Sequence, residues 1–252
     1  MTEPICVGPP DRAFLFGGVG LAAAVSAMEQ TCQRPVIWAT AQYLSFARLG
    51  SILDLDVWVP AQGNQTSQAR VIGHVDDREI ITVNAALGAR AGDVDDQWVQ
   101  APAAPPPDAC EPVSHWRGPT DDLDGRFDMR LVRGRFQGPD VVGRGDGRIV
   151  LWMRPKGRHP IDTTMLCVMA DMVSTAITDA IGRLAGGNSL DNTIRFARHD
   201  ETEWVLCDIS IESIQRGVVH GAMRLFSERG VLLATASQSM ILRLHAARGA
   251  SD

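Results

Sequence analysis

Residues 217–238 read Gly-Val-Val-His-Gly-Ala-Met-Arg-Leu-Phe-Ser-Glu-Arg-Gly-Val-Leu-Leu-Ala-Thr-Ala-Ser-Gln. Apolar residues on both sides of a glycine-bearing turn at Glu228-Arg-Gly230 predict two antiparallel strands, near 218–227 and 231–243. The pattern has an earlier counterpart. Gln68-Ala-Arg-Val-Ile-Gly-His-Val75, a turn at Asp76-Asp77, and Ile80 to Ala86 repeat it and align Ala86 with Gln238.

Each hairpin belongs to a longer run of elements. In the first half, Phe16-Gly-Gly opens a helical stretch in which Leu21, Val25 and Met28 fall on one face. Strands over Val36–Ala47 and Ile52–Val59 follow, the second alternating Leu53, Leu55, Val57 and Val59 with Asp54, Asp56 and Trp58. Segments near 65–75 and 79–88 complete that half. In the second half, Phe127–Val132 and Ile149–Met153 read as strands. A helix then starts after Pro160, with Asp162 as its N-cap and an apolar stripe of Met165, Met169, Met172, Ala176, Ile177, Ala180 and Ile181. Strands near 193–197 and 203–213 lead into the closing hairpin.

A helix with an apolar face followed by a meander able to cover it is a stable two-layer unit. Twice repeated, it predicts an α+β fold of two helix-wrapped antiparallel units, residues 1–95 and 120–247, forming one continuous curved sheet. Residues 96–119 are the expected linker. They contain Ala101-Pro-Ala-Ala-Pro-Pro-Pro107, which suits an exposed, extended connection because proline fixes its backbone angle and lacks the amide donor.

The formal net charge of −6 is spread over mixed charges, which argues against the basic stripe of a nucleic-acid binder. Five dispersed cysteines without a Cys-x-x-Cys pair suit reduced thiols in the cytoplasm, not a disulfide framework or a metal site. The first ten residues lack the basic and apolar regions of a signal peptide. The longest apolar stretch, opening at Leu21–Val25, is expected to be too short to span a membrane. Phosphate loops, nucleophile elbows and His-Glu-x-x-His are not found.

One polar residue is out of keeping with its strand. Gln238 shares a face with Leu232, Ala234, Ala236, Met240 and Leu242. A buried carboxamide without partners costs about 1–3 kcal/mol, so Gln238 requires a partner in the fold, a water or a ligand. Ser210 shares parity with Trp204, Leu206, Asp208 and Glu212, opposite Val205, Cys207, Ile209 and Ile211. Asp191 precedes a strand after Gly186-Gly-Asn188.

These segments resemble the acyl-CoA thioesterase II, or TesB-like, family, which implies that the two α+β units form a double hotdog. The resemblance is carried by Phe16-Gly-Gly, Phe127-Asp-Met-Arg, Trp152-Met-Arg, Ser189-Leu-Asp-Asn, Arg216-Gly217 with Arg224-Leu-Phe, and Leu233-Ala-Thr-Ala-Ser-Gln238. It implies a catalytic set of an Asp, a Thr or Ser and a Gln holding the attacking water, which by position are Asp191, Ser210 and Gln238. It also implies acyl-CoA as substrate, with CoA part of that substrate and no separate cofactor. A homo-oligomer is compatible with it. Backbone amides at Gly17 and Gly18 are expected to receive the thioester carbonyl, the glycines allowing close approach. The chain departs from the family after its Asp, with Asn192 in place of a His. Arg195 and Arg198 replace apolar or aromatic residues and are expected near the CoA entrance. Hydrolysis, binding of acyl-CoA without turnover, and hydration or dehydration are three functions such a fold can serve. The last needs a His paired with an acid, which this sequence does not place.

The resemblance carries one geometric expectation: Asp191, Ser210 and Gln238 should meet around one water. If Ile209 and Ile211 face the helix, Ser210 faces away, and the three can meet only at the seam between units.

Overall fold

A computed structural model describes residues 1, 5–8, 10–113, 123–138, 141–157 and 159–245; residues 114–119 of the expected linker and 246–247 of the second unit lie outside that set. Two short strands, β1 (Cys6–Val7) and β2 (Phe14–Leu15), form a ribbon before helix α1 (Gly17–Cys32). Four strands complete the first unit: β3 (Val36–Tyr43), β4 (Asp54–Gln62), β5 (Thr66–Val75) and β6 (Arg78–Gly88). The expected linker adds the edge strand β7 (Glu111–Pro112), and the second unit supplies β8 (Phe127–Arg133), β9 (Arg148–Pro155), helices α2 (Thr163–Ala170) and α3 (Ile177–Ile181), then β10 (Ala185–Ser189), β11 (Asp191–Phe196), β12 (Val205–Gln215), β13 (Val218–Ser227) and β14 (Leu232–Leu244).

Strands β3 to β14 make one antiparallel sheet in the order β4-β5-β6-β3-β11-β14-β13-β12-β9-β8-β7, with β10 also paired to β14. The units join where β3 pairs with β11, with Ala41 opposite Asn192 and Ala39 opposite Ile194. Both helices lie on one face of this sheet and share one apolar core, which includes Leu21, Val25 and Met28 of α1, Leu166 and Met169 of α2, and Ile194, Ile209, Met223 and Ala236 of the sheet. The two helix-wrapped units expected from the repeat, and the double hotdog implied by the resemblance, are the observed architecture. The first unit contributes fewer strands to the sheet because Cys6–Val7 and Phe14–Leu15 pair with each other in the separate ribbon.

The second helix departs from the expectation of one continuous helix. Asp162 caps it, its Oδ1 accepting from the Met165 amide at 2.9 Å. The helix then breaks at Asp171 and Met172, whose backbones leave the helical region, and a 3-10 turn over 173–176 connects to α3. Counted as one segment, Thr163–Ile181 is long and apolar enough to cross a membrane, so Leu21–Val25 does not open the longest such stretch. In the fold the segment is mostly buried against its own sheet.

The linker is less exposed than its composition suggests. Pro105 accepts a hydrogen bond from the Trp152 indole at 2.8 Å, and Gln97 bridges the Gly230 carbonyl and the Leu232 amide. Ala101, Ala104 and Cys110 cover an apolar cluster of Val150, Trp152, Trp204, Leu206 and Phe226 on the sheet face away from the helices.

Candidate active site

Helix α1 starts without a side-chain cap of its own, because its N-cap residue is Phe16. The first amides of any helix need partners and attract negative charge. Here the partner comes from the other unit. The Gly18 amide donates to Asp171 Oδ2 at 2.7 Å, across 153 positions of sequence. The break after α2 delivers that carboxylate to the end of α1. Glycine at 17 and 18 makes the approach possible: a Cβ at Gly17 would sit 2.7 Å from Asp171 Oδ2, and one at Gly18 would sit 2.9 Å from the Asp171 Cβ and the Cys167 carbonyl.

Asp171 Oδ1 accepts from two carboxamides. Asn192 Nδ2 donates to it at 3.2 Å and also to the Ala170 carbonyl. Gln238 Nε2 donates to the same oxygen and to Ser189 Oγ at 2.7 Å. Asp171, Asn192 and Gln238 are 4%, 0% and 2% exposed, so this polar knot is buried at the seam between units. Burial is the main force on its acidity and lifts Asp171 from 3.8 to about 7. The bonds from Asn192, Gly18, Gln238 and Ser189 pull the other way by favouring the ionised form.

Three buried polar atoms next to this carboxylate have no hydrogen-bond partner among the described residues: Tyr43 Oη, Asn192 Oδ1 and Gln238 Oε1. Two are acceptors, and the third can both donate and accept. Together with Asp171 they can hold a small molecule that has O–H donors and a carbonyl acceptor. A carboxylate whose acidity lies near neutrality can take a proton from bound water.

Of the residues assigned from sequence, Gln238 and Gly18 enter this site, and Gly17 borders it. The other four lie elsewhere. Thr193, Ser237, Ala222 and Ser210 form one cross-strand row over β11, β14, β13 and β12. Directly opposed residues share a face, and neighbours along a strand alternate. Ser210 therefore projects from the face opposite Gln238, which follows Ser237. Ser210 is also three strands from the seam strand β11, about 14 Å at the usual strand spacing. Asp191 faces the same way as Gln42, its partner on β3, away from the helices. Its Oδ1 accepts from the Ser239 amide at 2.7 Å, mending the ladder where β10 passes into β11 at Leu190. The expected meeting of Asp191, Ser210 and Gln238 thus does not occur. Arg195 is exposed on that outer face opposite Trp38, and Arg198 is paired with Asp95 of the linker at 2.6 Å, so neither approaches Asp171.

Asp171, Asn192, Ser189 and Tyr43 were not assigned from sequence. The available signals were a lone carboxylate in the apolar run Cys167-Val-Met-Ala-Asp-Met-Val173 and a helix start with no capping residue. Each is the answer to the other.

The profile of the acyl-CoA thioesterase C-terminal domain matches residues 104–242. A search of curated proteins gives no match. Among solved structures, a protein of Novosphingobium aromaticivorans assigned to the thioesterases is 37% identical with a TM-score of 0.85, covering 98% of this chain and 94% of its own. The tesB protein of Mycobacterium avium subs paratuberculosis is 21% identical with a TM-score of 0.76, covering 93% of this chain and 90% of its own. The acyl-CoA thioesterase II TesB2 of Mycobacterium marinum is also 21% identical, with a TM-score of 0.71 and coverage of 92% and 90%. At 21% identity the two mycobacterial likenesses speak for the fold, while the profile and the closer relative speak for descent. The chain belongs to the acyl-CoA thioesterase family, as a TesB-like member built from two hotdog units.

Proposed function

We propose that this chain hydrolyses the thioester of an acyl-CoA to a free acid and CoA, with Asp171 as the general base. The observation that carries the reading is the buried Asp171 carboxylate, held by Gly18, Asn192 and Gln238 at the seam and poised near neutral pH. A thioester carbonyl is electrophilic enough for direct attack by water. Asp171 takes a proton from that water as its oxygen bonds to the carbonyl carbon. The intermediate then collapses, the C–S bond breaks, and the leaving thiolate recovers the proton. Asn192 Oδ1 and Gln238 Oε1 are unpartnered acceptors that can orient the water. General-base help of this kind is worth about 10²–10⁴ in rate. Gln238 keeps the water-holding part that the family resemblance implies; the base passes from Asp191 to Asp171. The pantetheine arm would enter between the units, leaving the nucleotide on the surface.

Thiol release from a panel of acyl-CoAs tests this. The wild type should turn over at least one chain length, and Asp171→Asn should lower kcat by ~10²-fold or more. If acyl-CoA raises the melting temperature but no thiol appears, the chain binds its ligand without turnover and the hydrolytic reading fails.

A further inference from the structure

Hydrolysis at Asp171 leaves one requirement without a group to meet it. As water adds to the thioester, the carbonyl oxygen gains a full negative charge, and a donor must face it. The Gly18 amide, assigned that part from sequence, is already bound to Asp171. A different donor is at hand. The Tyr43 hydroxyl is buried and has no partner among the described residues, although the residue as a whole is only half-buried.

The backbone explains how it comes to be there. Tyr43 ends β3 and follows the parity of the core residues Ala39 and Ala41, which points it toward the helices. Its amide donates to the Leu190 carbonyl at 3.0 Å, fastening it to the seam at the bulge between β10 and β11. Its ring packs beside Gly17: a Cβ there would lie 2.9 Å from Tyr43 Cε1 and Cζ, as well as 2.7 Å from Asp171 Oδ2. Phenol and carboxylate therefore flank the same point at the start of α1.

We infer that Tyr43 is a catalytic residue whose hydroxyl donates a hydrogen bond to the thioester carbonyl oxygen and to the oxyanion that forms from it, an inference that rests on the hydrolytic reading of Asp171. Burial first, and the neighbouring Asp171 charge second, hold the phenol's pKa well above its ordinary value, which keeps the hydroxyl a donor. No proton leaves it during the reaction. Water loses its proton to Asp171, the carbonyl π pair moves onto oxygen against the Tyr43 O–H, and the pair returns as the C–S bond breaks. A hydroxyl left unpaired in a protein core is destabilising, and a donor used only with substrate accounts for its being kept.

Tyr43→Phe keeps the ring and removes the hydroxyl. It should lower kcat by ~10²-fold, as loss of one oxyanion donor does, with KM changed little. Its melting temperature should equal or exceed that of the wild type, since an unpaired buried polar group has gone. A second measurement does not depend on turnover. The infrared carbonyl stretch of acyl-CoA bound to Asp171→Asn should lie below its value in water, and should move back up in the Tyr43→Phe, Asp171→Asn double variant. Absence of thiol release by the wild type would defeat hydrolysis alone, because the carbonyl shift still reports whether Tyr43 donates. Equal carbonyl frequencies in the two variants, or Tyr43→Phe activity within threefold of wild type, would overturn the assignment.

Discussion

At the scale of single residues, the account rests on the acidity of Asp171. Its value is raised from 3.8 in the unfolded chain to about 7 in the fold. The native state therefore holds a proton that the unfolded state releases between these values. The favourable contribution is complete below about pH 3.8 and is lost as pH rises through about 7. Within that window unfolding free energy should fall by up to about 1.4 kcal/mol per pH unit from this residue, and the slope should vanish in Asp171→Asn. Denaturant titrations of both proteins across pH 4–8 check this. Gln238 acts on the same equilibrium, since its amide favours the ionised carboxylate. Gln238→Ala should move the acid limb of the pH–rate profile to higher pH and lower activity, without large loss of folding stability. An unmoved limb would mean that Gln238 does not support the base. Strand parity made Gln238 legible in the sequence, because an amide among Ala234, Ala236 and Met240 is conspicuous once the strand is drawn. Parity had also set Ser210 on the outer face, and the seam that could have rescued it lies three strands away. Asp171 was hidden because its partners come from three other segments, and no spacing rule joins positions 18, 171, 192 and 238.

At the scale of elements, the informative feature is a helix capped by the other unit. The start of α1 was legible as Phe16-Gly-Gly, but the reason for the glycines was not. They make room for the Asp171 carboxylate beside the first turn, and no substrate is needed to explain them. Gly17→Ala would set a methyl group 2.7 Å from Asp171 Oδ2 and 2.9 Å from the Tyr43 ring. Overpacking of this kind typically costs about 1–3 kcal/mol. The variant should melt lower and lose activity more than its stability loss explains, a result that thermal melts and thiol release together would show. The apolar stripe over 165–181 was read as one helix because Met165, Met169 and Met172 keep helical spacing through the break. Periodicity in side chains does not register a backbone that turns aside to place one carboxylate. The proline-rich linker was legible as extended, but its docking on Trp152 was not, since the outer sheet face it covers is assembled from β9, β12 and β13.

At the scale of the whole molecule, the repeat in the sequence described the architecture because each unit leaves a helix and a strand edge that the other completes. Strand β3 pairs with β11, and Asp171 of the second unit caps α1 of the first. The groups of the site are drawn from both: Tyr43 and Gly18 from the first, Asp171, Asn192 and Gln238 from the second. The pairing of the two units thus makes a seam, and the seam carries the only carboxylate pushed to about 7 among the described residues. The central claim is that this carboxylate is the base for thioester hydrolysis. The most direct measurement is kcat/KM for thiol release between pH 5 and 9, in the wild type and in Asp171→Asn, because this ratio reports the acidity of groups in the free enzyme. The wild-type value should rise with pH, reach half its plateau near the value of about 7 set by burial, and level off; Asp171→Asn should lose that limb together with ~10²-fold or more of the rate. A variant that keeps both the wild-type rate and the wild-type limb would contradict the account.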